Sequence, residues 1–330
     1  MNPTIHDVAK LANTSKSTVS RYLNGQKVKK ETEEALKKAI KELNYHRNVN
    51  ARRLVMNKTQ TIGIVVDDIS NFFYSPIFKG IEMIAREEGF HCIFYSSISH
   101  YDQEVSALPL LYEGQVDGLI LVSFSNRSEK SLKEIAESRF PIVLVGTAGN
   151  QPDIDSVDID NYSGISDIVS YLYRLGHRKI AFISGPEELA PNRDRLAGYE
   201  DTMNQLGLET LVTASDWTSQ GGYQAMYRLL ENKEAFTAVI ASNDESAVGA
   251  LKAGQELGYQ VPVDFSITGF DDIAIASWMY PSLTTMKQPF VEMGEEAAQL
   301  LISKIHEEQH SFNRILLKPE LVIRDSCRKI

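Results

Sequence analysis

A chain of 330 residues, 43% apolar and 24% charged, is too long for one ordinary core and too apolar to be disordered in bulk, so two or three packed domains are expected. No segment approaches the roughly 20 consecutive apolar residues that cross a bilayer, and Met1–Asp7 lacks the basic-then-apolar run of a secretory leader, which predicts a cytoplasmic protein with no membrane partner. The net charge of −10 is uneven: residues 1–60 carry 13 Lys and Arg against five acids, and the remainder carries 21 against 39, as expected when one end meets phosphate and the body avoids it.

In chain order, Ile5, Val8, Ala9 and Ala12 fall on one face of a short helix, broken at Asn13-Thr14-Ser15. Ser15 is placed to cap a second helix, Lys16 to Asn24, in which Val19 and Leu23 point inward and Lys16, Ser17, Ser20 and Arg21 share the outer face. A third helix is predicted from about Glu31 to Tyr45, with Leu36, Ala39, Ile40 and Leu43 as its core stripe. Two short helices joined by a three-residue turn, the second polar and basic outside, fit the motif that lays its second helix in the major groove; a small structural three-helix unit with a solvated face is the alternative at this level.

From Thr61 onward short apolar runs alternate with helical stretches. Strands are predicted at Ile62–Val66, His91–Tyr95, Leu119–Val122 and Ile142–Val145, then at Ile180–Ile183, Ala238–Ala241 and Phe265–Thr268, with helices at Pro76–Glu88 and Arg193–Leu206. This βαβ grammar, used twice, implies two parallel-sheet lobes, and small ligands in such folds sit beyond the carboxyl ends of the strands, here between the lobes. Cys92 and Cys327 stand alone and are read as free thiols. His306-Glu307-Glu308-Gln309-His310 spells H-E-x-x-H, but no third ligand follows before Glu320, so it is read as a solvated helix end, not a zinc site. No nucleophile–base set, phosphate loop or metal cluster appears, so neither an enzyme nor a cofactor is expected.

The runs Ile5-His6-Asp7-Val8-Ala9-Lys10-Leu11-Ala12 and Ser17-Thr18-Val19-Ser20-Arg21-Tyr22-Leu23-Asn24-Gly25 resemble the head of the lactose-repressor/galactose-repressor family, and Asn48-Val49-Asn50-Ala51-Arg52-Arg53-Leu54 resembles its hinge segment. In the body, Asp68–Phe73 is similar to the family's first strand-to-helix loop, Asn192–Tyr199, Ser242-Asn243-Asp244 and Gly269-Phe270-Asp271-Asp272 to its effector-site motifs, and Leu283-Thr284-Thr285 with Gln288 to the lobe crossing, so the resemblance runs from Ile5 to Cys327. It implies an all-α helix-turn-helix head with its hinge, residues 1–57 with the hinge helix at 48–55, and an α/β periplasmic-binding-protein-like core, 58–330. The N-lobe would take about 60–160 and 290–319, and the C-lobe about 161–289 and 320–330. Operator DNA, near-palindromic, would be met by Thr4, Ser15, Lys16, Ser17, Thr18, Ser20, Arg21 and Asn24 in the head and by Asn48, Ala51, Arg52 and Leu54 in the hinge, Leu54 as a wedge between base steps. One departure is Arg47, where the family usually has proline.

The effector implied is a small sugar, held by Phe72, Phe73, Arg193, Trp217, Asn243, Asp271 and Gln288. The chemistry fits: Arg193 offers a planar fork of donors, Asp271 accepts from paired hydroxyls, and Trp217 can lie flat on a pyranose face. The function expected is a dimeric repressor of carbohydrate-utilisation genes that a sugar relieves. A sugar-binding transport receptor of the same two-lobed fold is the competing reading.

Overall fold

The computed structural model describes residues 3–23, 25–45, 58–70, 72–96, 105–124, 127–149, 153–232, 235–306 and 311–330. The chain divides into two compact units, Met1–Thr59 and Gln60–Ile330.

In the first unit, α1 (Ile5–Leu11), α2 (Lys16–Leu23) and α3 (Lys30–Glu42) enclose a small core of Val8, Ala9, Ala12, Val19, Leu36 and Ala39. Thr4 opens α1 through a capping box in which its backbone N–H and its hydroxyl both donate to Asp7, at 2.8 and 2.7 Å. The turn between α1 and α2 is tight because Asn13 takes a left-handed φ of 45°, which asparagine tolerates better than most residues. Ser15 accepts from the Thr18 N–H at 3.2 Å and so caps α2. The third helix ends at Glu42, three residues before the expected Tyr45, because Asn44 turns left-handed and the Tyr45 N–H reaches back to the Ile40 carbonyl.

The second unit holds two six-stranded sheets. The first runs β11-β5-β4-β3-β1-β2 and is parallel throughout: β1 Thr61–Val66, β2 His91–Ser96, β3 Gly118–Val122, β4 Ile142–Val145, β5 Asp155–Ile159 and β11 Arg314–Leu317. The second runs β12-β10-β9-β8-β6-β7: β6 Ile180–Ser184, β7 Leu211–Ala214, β8 Ala238–Ala241, β9 Ser266–Asp271, β10 Thr284–Lys287 and β12 Glu320–Val322. Its last pairing, β10 with β12, is antiparallel, the one departure among its pairings from the parallel sheets expected. Central strands are apolar and buried along their whole length because helices cover both faces.

The helices are α4 (Ser75–Glu87), α5 (Pro109–Tyr112), α6 (Glu129–Glu137), α7 (Asn161–Arg174), α8 (Ala190–Gln205), α9 (Ser219–Glu231), α10 (Asp244–Glu256) and α11 (Phe290–His306). Helices α4 and α11 approach so closely that a Cβ on Gly80 would fall 2.0 Å from the Val291 carbonyl oxygen, and one on Gly294 would fall 2.1 Å from that of Ile77. The chain passes between the sheets three times: after β5, after β10 into α11 and β11, and from β11 into β12.

Among the described residues no helix is long and apolar enough to cross a membrane. Of the H-E-x-x-H run, the His306 ring centroid lies 6.0 Å from that of Phe90, and residues 307–310 lie outside the described residues. Cys92 and Cys327 are free thiols, both pushed up to about 11 by burial.

Candidate effector cavity and DNA-reading face

In the core unit a cavity of about 710 Å³ opens at the carboxyl ends of both sheets, the place where open α/β folds hold ligands. Each sheet contributes one wall. On the first, the loop after β1 brings Ser70, Phe73 and Tyr74, the loop after β3 brings Phe124, and α11 begins with Phe290. Phe73 packs edge-on against Phe290 at 4.6 Å and Phe124 at 5.6 Å, while Tyr74 stacks on Phe124. Phe72 begins the 3-10 turn Phe72–Tyr74; its side chain is outside what is described.

The second wall is polar and tightly bonded. Arg195, on α8, is 4% exposed. It donates to Asn161 Oδ1 at 2.8 Å and to the Ser242 carbonyl at 2.6 Å, stands 3.6 Å from Asp271 Oδ1, and lies 3.8 Å above the Phe270 ring centroid. Asp271 also accepts from Gln288 Nε2 at 2.5 Å. Burial pushes the Asp271 carboxyl up to about 6 even though Arg195 and Gln288 both favour its charged form. Asp271 and Asp272 have φ of 124° and 57°, a backbone region that non-glycine residues occupy only when held there. The holders are Arg324, which donates to Asp272 at 2.6 Å, and Asp244, which accepts from the Ile273 N–H at 2.9 Å and from the Thr285 hydroxyl at 2.5 Å. Burial and the neighbouring Asp271 raise Asp244 well above the carboxylate range.

Trp217 is fixed with equal care. Its indole N–H donates to Ser242 Oγ at 2.9 Å, and its edge lies on Gly185, where a Cβ would fall 1.9 Å from Nε1. Asn243 caps α10 by accepting from Ser246 N–H and donates through Nδ2 to the Trp217 carbonyl at 2.9 Å, which supports a left-handed φ of 66° there.

Of the residues expected at an effector site, Phe73, Trp217, Asn243, Asp271 and Gln288 all line this cavity. Arg193 does not, and the expectation is corrected: it is exposed, and its guanidinium donates to the Glu188 carbonyl at 2.6 Å and more weakly to that of Glu187. The arginine of the cavity is Arg195. The reason is helix phase. Asn192, Arg195, Tyr199 and Thr202 fall on one buried stripe of α8, whereas Arg193 faces away. Tyr199 in the apolar core was the sequence signal that fixed the phase. Asn161, Arg324, Tyr74, Phe124 and Phe290 were not anticipated either, and Asp244 was marked only as part of the Ser242-Asn243-Asp244 motif, without a role; Asn161 and Arg324 act through partners distant in sequence and carry no local pattern.

In the head unit, Lys16, Ser17 and Arg21 are exposed on α2 and Ser20 is half-buried, while Val19 fills the core. The Ser15 hydroxyl shares hydrogen bonds of 2.8 Å with both Ser17 and Thr18. Thr4 is exposed at the start of α1. Asn24 and the hinge residues Asn48, Ala51, Arg52 and Leu54 lie outside the described residues.

A three-helix head with an outward basic second helix, joined in sequence to a two-lobed core with a polar, aromatic-walled cavity, defines a DNA-binding transcriptional regulator with a small-molecule core. Residues 4–48 match the model of bacterial regulatory proteins of the lacI family, and residues 169–327 match the periplasmic binding protein-like domain. Catabolite control protein A of Priestia megaterium is 34% identical over 333 residues, covering 99% of this chain and 100% of that one. Among solved structures, the lac repressor dimer bound to operator and the anti-inducer ONPF superposes with a TM-score of 0.90 at 28% identity, covering 99% of this chain and 100% of that one. The complex of the transcriptional regulator CelR with cellobiose superposes at 0.73 with 32% identity, covering 98% and 99%. The chain belongs to the lacI family of bacterial regulatory proteins.

Proposed function

We propose that this chain is a sequence-specific repressor that works in the cytoplasm as a homodimer on a near-palindromic operator and is released by a small sugar bound in the cavity between its lobes. The observation that carries the effector half is the wall around Arg195 and Asp271, where a buried, bonded acid–base pair beside an immobilised indole offers hydrogen-bond acceptors and a flat apolar face, the two needs of a pyranose. The sugar named with CelR and the operator named with the lac repressor dimer support the same reading by relationship. A transport receptor would have no use for a head unit with a basic outer helix.

In the head, Lys16 and Ser17 read base edges, Arg21 reaches a base or a phosphate, and Thr4, Ser15, Thr18, Ser20 and Asn24 set the register on the backbone. The hinge around Asn48, Ala51, Arg52 and Leu54 enters the minor groove. In the core, Phe73, Trp217, Asn243, Asp271 and Gln288, with Arg195 in place of Arg193, hold the effector. No catalytic step belongs to this reading, since Arg195 and Asp271 are tied to each other and serve recognition.

The test combines selection of DNA from a random pool with a thermal-shift screen of mono- and disaccharides on the purified chain, because a ligand that binds only the folded state raises its melting temperature. Selected DNA should carry two inverted half-sites, and the binding sugar should release it. Replacement of Lys16 and Ser17 together should change the half-site; recovery of the same sequence would remove them from base reading.

A further inference from the structure

Among the described residues that line the cavity, the charged ones are Arg195, Glu245, Asp271 and Asp272, so acids outnumber the single cation. Two of the acids are answered: Asp271 by Arg195, and Asp272 by Arg324. Glu245, exposed in the first turn of α10, has no lysine, arginine or histidine within 4 Å among the described residues. Several donors are also engaged within the wall: Arg195 donates through Nε to Asn161 and through Nη1 to Ser242, the Asn243 amide donates to Trp217, and the Gln288 amide donates to Asp271. With three carboxylates against one guanidinium, the described lining carries an excess of negative charge. Hydroxyl groups can donate to such a surface; a phosphate dianion can only accept, and it would meet an unanswered carboxylate.

We propose that the cavity takes an uncharged, hydroxyl-rich ligand and rejects the phosphate ester of the same sugar, with Glu245 as the residue that enforces the rejection. This rests on the effector reading above and narrows it to a ligand class. The rejection is electrostatic and crosses an open cavity, so it responds to salt, unlike a rejection by shape.

The test uses the full chain. Glucose, galactose, ribose, cellobiose and trehalose are screened by thermal shift and calorimetry beside glucose 6-phosphate, galactose 6-phosphate, ribose 5-phosphate and trehalose 6-phosphate. At low salt an unphosphorylated sugar should bind, and the esters should bind at least about tenfold more weakly than their parents, the size expected for like charges a few ångströms apart in a wet cleft. Raising salt to about 0.5 M should narrow that gap, and Glu245→Gln, shown to be folded by circular dichroism, should narrow it at low salt. The salt series tests the idea even if that variant does not fold. The proposal is overturned by an ester that binds as tightly as its parent, by a gap that neither salt nor Glu245→Gln moves, or by no sugar of the panel raising the melting temperature. Retardation of the selected DNA by the same preparation separates the readings: a sugar bound with no ester gap that salt or Glu245→Gln moves ends this proposal alone, no sugar of the panel bound ends it together with the sugar-effector reading, and no DNA bound ends the regulator reading.

Discussion

The two walls of the cavity solve different problems. The wall built on the second sheet is a bonded network: Arg195, Asp271, Gln288, Trp217 and Asn243 are each tied to a neighbour by a side-chain hydrogen bond, and two strained residues are held by Arg324 and Asp244. The facing wall is a cluster of rings, Phe73, Tyr74, Phe124 and Phe290, packed by edge and stacking contacts, with the Tyr74 hydroxyl donating to Asp67 at 3.0 Å. A preorganised polar wall recognises, because its geometry is fixed before the ligand arrives. A ring cluster covers, because apolar contact tolerates small shifts. On the proposed effector reading, discrimination falls to the wall of the second sheet and apolar cover to the wall of the first.

Breaking the polar wall should have the largest effect. Arg195→Ala leaves Asp271 buried beside empty space and strands the acceptors on Asn161 and Ser242, so it should lower stability by about 3–5 kcal/mol, read by thermal or urea denaturation, and abolish the response to sugar. Phe73→Ala, on the ring wall, removes a half-buried side chain and should cost about 2 kcal/mol of stability while weakening the sugar without changing its rank order against other sugars. A change of rank order would show that the ring wall also discriminates.

Of the two walls, acid should act on the polar one. With Asp271 raised to about 6, lowering pH from 7.5 to 5 converts its carboxylate to the neutral acid, and sugar affinity should fall by about tenfold, the proton competition expected one unit below the pKa. Asp271→Asn should flatten that profile. The folding linkage has the opposite sign: a raised carboxyl pKa means the native state takes up the proton first, so this group's contribution to stability rises as pH falls through about 6 and levels off below the ordinary carboxylate range. The smallest effect belongs to Arg193→Ala. An exposed guanidinium on two backbone carbonyls should change stability by less than about 0.5 kcal/mol and leave the sugar response intact, which calorimetry on the two arginine variants side by side would decide.

The same contrast explains what could be read from the sequence. Strands such as β1, β3 and β8 were legible because covering helices demand unbroken apolar runs. Strand β5, Asp-Ser-Val-Asp-Ile, was not, since Asp155 is buried there in an ion pair with Lys304, some 150 positions away, and the local pattern looks like a loop. The short strands β11 and β12 and the edge strand β7 mix exposed and half-buried positions over three or four residues, too few to register as periodicity. The head read clearly because its second helix separates a core face from a polar face within eight residues. In the cavity, Asp271 and Gln288 could be placed from short motifs at strand ends, but one motif held two arginines, and only the phase of α8 against Tyr199 distinguishes them.

The three passages of the chain between the sheets also set the order in which the molecule can be made. The first sheet's core includes Phe290, Met293, Ala297 and Leu301 of α11, and its edge is β11, so a ribosome that has delivered residues 60–160 has not yet delivered the material that closes their core. Contacts spanning some two hundred residues make for slow assembly, and the second sheet, complete but for β10 and its short partner β12 once β9 is out, is free to form first. A nascent or proteolysed chain ending before α11 would carry Phe73, Tyr74 and Phe124 on a sheet without its covering helix, an aggregation hazard that ends when α11 and β11 arrive.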